Sequence, residues 1–216
     1  MRVVVIGASG FGREVLDVLA AMQHEDRELQ VVGVVDDGPS DVNLQRLADR
    51  NVAYLGTLES WLAYGDYDCR YVLGIGRPDV RLRLVRQLDR VGLKPFTAVH
   101  PNATFGDRTQ LGEGAVVCAG ATISTNVRFH RHVHINPNVT IGHDTVLSDC
   151  VSINPGAVIS GEVFVGDETL VGASATILQN LTVGQRTIVG AGAVVTRNVP
   201  DGVVVTGVPG DWVADA

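Results

Sequence analysis

The sequence has few cysteines and no long apolar run. Its three cysteines, Cys69, Cys118 and Cys150, are odd in number and show no CxxC spacing, so neither a disulfide framework nor a zinc site is expected. The longest apolar runs have about five residues, against the roughly 20 that a membrane-spanning helix needs. We therefore expect reduced thiols and no membrane partner.

Basic residues are also scarce. The 216 residues include 17 Lys and Arg against 24 Asp and Glu, which gives a net charge of −7. An acidic chain is not attracted to nucleic acid or to an anionic membrane surface, so neither is expected as a partner. Met1 leads directly into the strand-like run Val3–Ile6, without the basic and apolar segments of a signal peptide. We therefore expect a cytoplasmic protein.

What the chain does have is a repeat of six residues in its C-terminal half. A large apolar residue occupies every sixth position, 17 times in succession: Val99, Phe105, Leu111, Val117, Ile123, Phe129, Ile135, Ile141, Leu147, Ile153, Ile159, Val165, Val171, Ile177, Val183, Val189 and Val195. A helical period of 3.6 residues cannot produce this register, and simple strand alternation would not keep it.

Each hexad repeats more than its large residue. Four positions later comes a small or β-branched residue in almost every case, Leu181 being the one larger member, and Gly, Asn, Asp and Pro lie between. These residues permit sharp corners, so each hexad can form one short flat side with its large residue inside. The pattern predicts a β-solenoid from about Val99 to Pro200.

The N-terminal half follows a different pattern. Strand-like runs at Val3–Ile6, Gln30–Val35 and Tyr71–Ile75 alternate with amphipathic stretches, of which Asp79–Val91 is the clearest. This alternation predicts a small Rossmann-like α/β domain with a parallel sheet. We place the α/β domain at residues 1–96 and the solenoid domain at residues 97–216.

Two features of the α/β domain are candidates for ligand binding. The first strand runs into Gly7-Ala8-Ser9-Gly10-Phe11-Gly12, and glycines between a strand and a helix let a phosphate approach the free N–H groups of the helix. Its GxxGxG spacing differs from the dinucleotide GxGxxG, and a simple tight turn is the alternative. Asp36-Asp37 after the second strand could accept hydrogen bonds from a ribose or base, or could form a solvated turn.

The hexads resemble the [LIV]-[GAND]-x-x-[STAV]-x pattern of the hexapeptide-repeat acyltransferases, whose left-handed parallel β-helix closes one coil every three hexads. Members of that family are typically homotrimers that bind acyl-CoA between neighbouring solenoids. The glycine loop, the acidic pair and the solenoid together resemble one subgroup. It comprises the sialic-acid O-acetyltransferases and the nucleotide-linked amino-sugar N-acetyltransferases that make diacetylbacillosamine or N-acetylperosamine.

The resemblance implies a role for particular residues. Gly10 and Gly12 would lie at the phosphates of the nucleotide-linked sugar, and Asp36 and Asp37 at its base. His143, in Ile141-Gly142-His143-Asp144, would be the general base, because an imidazole has a pKa near working pH. The remaining implied roles are orientation of the imidazole by Asp144, a sugar contact by Asn136, an N–H donor to the thioester carbonyl at Gly161, and acetyl-CoA contacts at Ala173, Gly190 and Gly192.

The chain departs from the subgroup at three places. Phe11 stands where many members carry His, Ser152 stands where some carry a second His, and Gly210-Asp211 replaces a usual Ala-Lys. A basic contact to coenzyme A would then come from Arg186 or Arg197. Gly76 and Arg81, after the third strand, are further candidates for lining the nucleotide pocket.

These observations predict an acetyl-CoA-dependent N-acetyltransferase that acts directly, without a covalent intermediate, on a nucleotide-linked amino sugar. The nearest alternative is O-acetylation of sialic acid or a similar sugar. The cluster His130, His132 and His134 suggests a zinc-dependent solenoid hydratase as another alternative, although a solvated or interface-lining cluster fits better and we expect no metal. A non-catalytic trimeric scaffold is the last.

Overall fold

The computed structural model describes residues 1–64 and 68–212, and it places a small α/β part before a long parallel β-solenoid. The elements of the α/β part are β1 (Arg2–Ile6), α1 (Gly10–Glu25), β2 (Gln30–Val35), α2 (Asp41–Ala48), α3 (Leu58–Tyr64), β3 (Arg70–Leu73) and α4 (Pro78–Arg90). The strands and the helices α1 and α4 confirm the sequence prediction. The short helices α2 and α3 were not expected, because their apolar residues are too few to show a period.

The three strands form a parallel sheet in the order β2-β1-β3. Val3, Val4 and Val5 of the central strand are fully buried, as is usual for a parallel strand covered on both faces. Because all three strands run the same way, their carboxyl ends meet at one edge. Ligands bind at this edge in open parallel sheets, where the strand order reverses around β1.

The solenoid consists of short strands in three parallel sheets. Its strands are β4 (Ala98–Val99), β5 (Thr104–Phe105), β6 (Val116–Val117), β7 (Thr122–Ile123), β8 (Arg128–Phe129), β9 (His134–Ile135), β10 (Thr140–Ile141), β11 (Val146–Leu147), β12 (Ser152–Ile153), β13 (Val158–Ile159), β14 (Phe164–Val165), β15 (Leu170–Val171), β16 (Thr176–Ile177), β17 (Thr182–Val183), β18 (Ile188–Val189), β19 (Val194–Val195) and β20 (Val204–Val205). They form a six-stranded sheet (β19-β16-β13-β10-β7-β5), a four-stranded sheet (β17-β14-β11-β8) and a seven-stranded sheet (β20-β18-β15-β12-β9-β6-β4).

The sixth-position residues form the solenoid core. Ile141 pairs with Ile123 on one side and Ile159 on the other, so equivalent residues are three hexads apart and three hexads make one coil. Ile141, Leu147 and Ile153, one from each sheet, are at most 1% exposed. Cutting such a side chain to alanine typically costs about 2–5 kcal/mol. The predicted hexad register is confirmed, and the solenoid has about six coils.

The end of the solenoid differs from the expectation. It does not stop near Pro200, because Val204–Val205 pairs with Ile188–Val189 as a further strand of the seven-stranded sheet. These partners are closer in sequence than three full hexads, and so are the bridged residues Val183 and Val199. The last coil is therefore shorter than the others, and the six-residue period no longer marks it.

The α/β part packs on the outer face of the seven-stranded sheet. Ala98, Val116 and Cys118 of the solenoid share one hydrophobic cluster with Val3 and Leu19 of the α/β part. At the rim of this contact, the Arg131 guanidinium donates two hydrogen bonds to the carboxylate of Asp89, at 3.0 and 2.9 Å.

Two histidines are buried in the same contact. His132 stacks on Tyr71 with ring centroids 5.8 Å apart, and His134 lies 4.8 Å from the ring of Phe11. Burial, with nearby Arg131 and Arg81, lowers the pKa of His132 to about 4, and burial lowers the pKa of His134 well below its usual value. Both imidazoles are therefore neutral at neutral pH.

Of the helices in the described ranges, none combines the length and the apolar composition that crossing a bilayer requires.

Candidate active site

His143 projects from the solenoid corner between β10 and β11, which we call the His143 corner (residues 142–145). Its side chain is 55% exposed, so the imidazole is open to a ligand. The Nδ1 atom lies 2.7 Å from a carboxylate oxygen of Asp144. Because an ionised carboxylate can only accept, Nδ1 carries the proton and donates it in this hydrogen bond, which leaves Nε2 with the free lone pair.

Local backbone geometry explains why two neighbouring side chains can meet in this way. Asp144 has φ of +58°, in the left-handed region, which Asp and Asn adopt more readily than other non-glycine residues. Its N–H donates to the Thr125 carbonyl at 3.0 Å, and the His143 carbonyl accepts from the Glu162 N–H at 2.8 Å. The corner is thus anchored to the coils on both sides.

Asp144 is held from a second direction. The Asn126 side-chain amide, one coil earlier, donates to its other carboxylate oxygen at 3.0 Å. The hydrogen bonds from His143 and Asn126 lower the pKa of Asp144 below its usual value, so the carboxylate is ionised when it contacts the imidazole. Asn126 was not predicted as a site residue, although the hexad register places it in the position equivalent to Asp144 in the preceding coil.

Gly161 lies directly under the His143 ring. A Cβ atom at Gly161 would be 2.5 Å from Nε2 and 2.6 Å from Cε1 of His143, so the absence of a side chain lets the ring sit where it does. Within the described ranges, the Gly161 N–H donates no hydrogen bond. A free N–H on the residue that the imidazole packs against is a candidate donor to an oxyanion.

A second carboxylate, from Glu162, completes this cluster. Potential ligand atoms of His143, Asp144 and Glu162 all lie within 4.8 Å of one another, and among the described residues this is the one group of three such side chains that could hold a metal ion. Glu162 was not predicted as a site residue, although its position one coil after Asp144 in the hexad register was a signal that could have identified it.

The other predicted solenoid residues lie on a different edge. Asn136 follows β9, Ala173 follows β15, and Gly190 and Gly192 follow β18, all at the corner between the seven-stranded and six-stranded sheets. The two corners lie at opposite ends of the strands of the six-stranded sheet, so one full face of the solenoid separates this edge from the His143 corner. A single chain therefore does not bring Asn136, Ala173 and the two glycines together with His143.

Asn136 is largely buried, and its amide nitrogen donates to the Ile153 carbonyl at 2.9 Å. At the same edge, Gly192 has φ of +68° with open space around its α-carbon, and its N–H donates to the Ala173 carbonyl at 2.9 Å. The surface at Gly192 is thus free of side-chain obstruction.

The α/β part has a cleft of about 330 Å³ at the carboxyl ends of its strands. The residues around it are Ile6, Gly7, Asp36, Asp37, Leu58, Ile75, Val80, Arg83, Leu84 and Gln87. The predicted acidic pair therefore lines the cleft, opposite Arg83 and Gln87 of α4. These two α4 residues were missed, because a charged or polar residue on an exposed helix face has no distinguishing pattern.

Both acidic residues already accept backbone hydrogen bonds. Asp36 accepts from the Ala8 N–H at 2.8 Å and from the Gly38 N–H at 2.9 Å. Asp37 accepts from the Leu58 N–H at 2.7 Å. The carboxylates thus order the loops around the cleft, and the second oxygen of Asp37 has no such intramolecular bond in the described structure.

The two predicted loop glycines have different surroundings. Gly10 is the first residue of α1, is exposed, and has open space around its α-carbon. Gly12 is buried, and a Cβ there would overlap the Gly7 carbonyl and approach Gly74. The close packing of α1 on the strand ends accounts for Gly12, while Gly10 leaves helix N–H groups open to solvent. Phe11 points to His134 at the solenoid contact.

Other candidate residues are used structurally. Ser152 is buried and donates to the Gly76 carbonyl at 3.2 Å, which ties the solenoid to the β3–α4 loop. Arg81 is fully buried and does not line the cleft. Arg197 pairs with Asp211 and lies 4.6 Å from the Trp212 ring. Of the histidine cluster, His130 is exposed while His132 and His134 are buried, so the three do not share one surface.

The chain resembles known proteins over its full length. The PglD N-terminal domain family matches residues 2–88. A GDP-perosamine N-acetyltransferase of Escherichia coli is 32% identical over 150 residues, which are 68% of this chain and 64% of that protein. The chain thus spans somewhat less than two thirds of this curated relative.

Solved structures extend the likeness. PerB from Caulobacter crescentus, in complex with CoA and GDP-perosamine, has a TM-score of 0.88 and 29% identity, covering 99% of this chain and 98% of that one. The acetyltransferase domain of PglB from Neisseria gonorrhoeae, in complex with acetyl coenzyme A, has a TM-score of 0.84 and 27% identity, covering 98% of both chains. This chain is therefore similar over its length to perosamine-type sugar N-acetyltransferases, with a match to the PglD N-terminal domain at residues 2–88 followed by a parallel β-solenoid.

Proposed function

We propose that the protein transfers the acetyl group of acetyl-CoA to the amino group of a nucleotide-linked amino sugar. The observation that carries the proposal is the exposed His143–Asp144 pair at a solenoid corner, with the imidazole packed on Gly161, whose N–H donates no hydrogen bond in the described structure. The relatives support the choice of substrates, since one is a GDP-perosamine N-acetyltransferase and solved structures hold CoA with GDP-perosamine.

In the proposed reaction the sugar amine attacks the thioester carbonyl carbon directly. As the N–C bond forms, Nε2 of His143 takes a proton from the amine, and Asp144 stabilises the resulting imidazolium through Nδ1. The Gly161 N–H donates to the carbonyl oxygen as it becomes negative. The intermediate then expels the coenzyme A thiolate, which receives the proton from His143, leaving an amide and a free thiol.

The nucleotide part of the acceptor would occupy the cleft of the α/β part. Asp37 has a carboxylate oxygen available for a base or ribose, and Arg83 supplies a positive charge for phosphate. The first-turn N–H groups of α1 at Gly10 add a second region that favours an anion.

We also propose that the protein is a cytoplasmic homotrimer. One face of the solenoid separates His143 from the edge that carries Asn136, Ala173, Gly190 and Gly192. A neighbouring copy would therefore have to supply this edge to complete the site. Light scattering on the purified protein tests this, and a mass of three chains is expected. A monomer with full activity would refute it.

The reaction is tested by incubating the protein with acetyl-CoA and each of GDP-, UDP- and dTDP-linked 3-amino and 4-amino sugars, and measuring thiol release. Sialic acid and hydroxyl analogues of the same sugars serve as competing acceptors. We expect amide formation on one or more amino sugars. Transfer to hydroxyl acceptors alone would refute N-acetylation in favour of the O-acetyltransferase alternative.

Two variants test the role of the imidazole. His143→Asn removes the base and should lower kcat by about 10²- to 10⁴-fold, while Asp144→Asn should lower it less, by loss of imidazolium stabilisation. His130→Asn, at an exposed histidine of the same solenoid, is the matched control and should retain wild-type kcat. If His143→Asn retains kcat as well, the general-base role is wrong.

A further inference from the structure

Arg81 is a charged residue buried between the two parts of the chain. It is in the first turn of α4 and is fully buried where that helix meets the solenoid. Burial lowers the pKa of its guanidinium to about 10, so it still carries its charge at neutral pH. A buried cation near the positive end of a helix is unfavourable unless its contacts compensate.

The contacts of Arg81 join two regions of the chain. Nη1 donates to the carbonyls of Ile75 and Gly76, at 2.9 and 3.1 Å, and Nη2 donates to those of Cys150 and Val151, at 2.5 and 3.2 Å. All four acceptors are backbone carbonyls, and within the described ranges no carboxylate hydrogen-bonds to the guanidinium. The planar fork thus bridges two backbone segments with a defined spacing.

One of these segments borders the proposed nucleotide cleft, and the other belongs to the solenoid. Ile75 lines the nucleotide cleft and belongs to the β3–α4 loop. Cys150 and Val151 form the corner that follows β11, in the same coil as His143. A second, weaker connection runs parallel to the first, since the Ser152 hydroxyl donates to the Gly76 carbonyl at 3.2 Å.

We propose that Arg81 is a positioning residue for acetyl transfer: it holds the edge of the nucleotide cleft at a set distance and angle to the solenoid. The α/β part packs on the seven-stranded sheet, and His143 lies at the opposite corner, between the six- and four-stranded sheets. In the proposed trimer, Arg81 therefore sets the acceptor relative to the His143 corner of a neighbouring copy. This inference rests on the proposed function, because it assumes that the acceptor is bound in the cleft and reacts at the solenoid. A small rotation at this contact would move the acceptor amine relative to the imidazole, and a misplacement of about 1 Å can cost about 10²-fold in rate.

Loss of Arg81 should affect nucleotide binding and kcat differently. The cleft is formed within the α/β part, so loss of Arg81 should leave nucleotide binding intact while kcat falls. Arg81→Lys keeps the charge but cannot reach both pairs of carbonyls, and Arg81→Met removes the charge at similar length. Ser152→Ala removes only the parallel connection, so it is informative even if the Arg81 variants fail to fold. Arg86→Met, at an exposed residue of the same helix, is the matched control.

The experiment uses whichever of the GDP-, UDP- and dTDP-linked amino sugars the wild-type protein acetylates, with the corresponding nucleoside diphosphate as the binding probe. We expect kcat to fall about 10- to 100-fold for both Arg81 variants and two- to fivefold for Ser152→Ala. The Kd of the nucleoside diphosphate and the KM of acetyl-CoA should stay within threefold, and Arg86→Met should match the wild type.

The inference is overturned if kcat is unchanged in the folded variants, or if kcat and nucleotide affinity fall by the same factor, which would indicate general loss of structure. If the Arg81 variants do not fold, unchanged kcat in Ser152→Ala overturns it. If the wild-type protein acetylates none of the amino sugars, the proposed function fails first and the inference with it, so the two failures are distinguishable.

Discussion

Substitution of Gly161 by alanine should disable the site with little change in stability. The new Cβ would lie 2.5 Å from Nε2 and 2.6 Å from Cε1 of His143, whereas ordinary contacts of this kind begin near 3.4 Å. The ring must therefore move by about 1 Å. Because a displacement of that size at reacting atoms can cost about 10²-fold, we expect kcat to fall about 100-fold.

Stability should respond far less, because the atoms that clash are the tip of an exposed side chain that can swing into solvent. We expect the free energy of unfolding to change by less than about 1 kcal/mol, as for most surface substitutions. The measurements are kcat by thiol release and the urea unfolding midpoint.

Gly202→Ala is the matched control. Gly202 is at an exposed solenoid turn, with φ of +71° and open space around its α-carbon, so alanine there adds about 1–2 kcal/mol of backbone strain without touching His143. It should lower stability and keep kcat. A Gly161→Ala protein that keeps kcat within threefold of the wild type would refute the proposed placement of the imidazole.

Two further predictions concern stability. Gly12→Ala should destabilise the protein by about 3 kcal/mol or more in urea unfolding, because its Cβ would overlap the Gly7 carbonyl. Gly10→Ala, at a position with open space around the α-carbon, should be neutral or slightly stabilising. Equal effects of the two substitutions on stability would contradict the packing explanation. The pKa of His132 is about 4 in the folded protein against 6.5 in the unfolded chain. Between pH 4 and pH 6.5 this histidine is therefore protonated in the unfolded chain and neutral in the folded protein. The free energy of unfolding should therefore fall as pH drops from 6.5 to 4, by about 3 kcal/mol for this group, and be unaffected by it above pH 6.5. His132→Gln should reduce that slope while the exposed-residue control His130→Gln keeps it, and an unchanged slope in His132→Gln would show that His132 is not buried as a neutral ring.

The hexads identify the solenoid from the sequence alone because each buried position must recur for the coils to stack. The same register also contains the site. Asn126, Asp144 and Glu162 occupy equivalent positions in successive coils, and so do His143 and Gly161. Only the pairing of His143 with Asp144 and the glycine one coil away were identified from the sequence, because the resemblance pointed to them.

Some positions have signals that describe backbone packing as readily as ligand binding. Gly12 and Asp36 fit a phosphate loop and an acidic pair, yet the structure shows that Gly12 permits close packing on Gly7 and that Asp36 accepts backbone N–H groups. A sequence pattern indicates that a glycine or an aspartate is needed at a position, but it does not show whether ligand binding or backbone packing requires that residue. The roles of Gly10 and Asp37 in nucleotide binding remain predictions.

The sequence by itself determined the α/β part, the six-residue repeat of the solenoid and the motif that contains His143, since these depend on local periods and on one short pattern. Tertiary structure decided which edges and faces meet. It placed Asn136, Ala173, Gly190 and Gly192 on a different edge from His143, and it buried His132, His134 and Arg81 between the two parts of the chain. Contacts between residues distant in sequence, such as Arg81 with Cys150, leave no periodic trace, because each depends on how one surface docks on another.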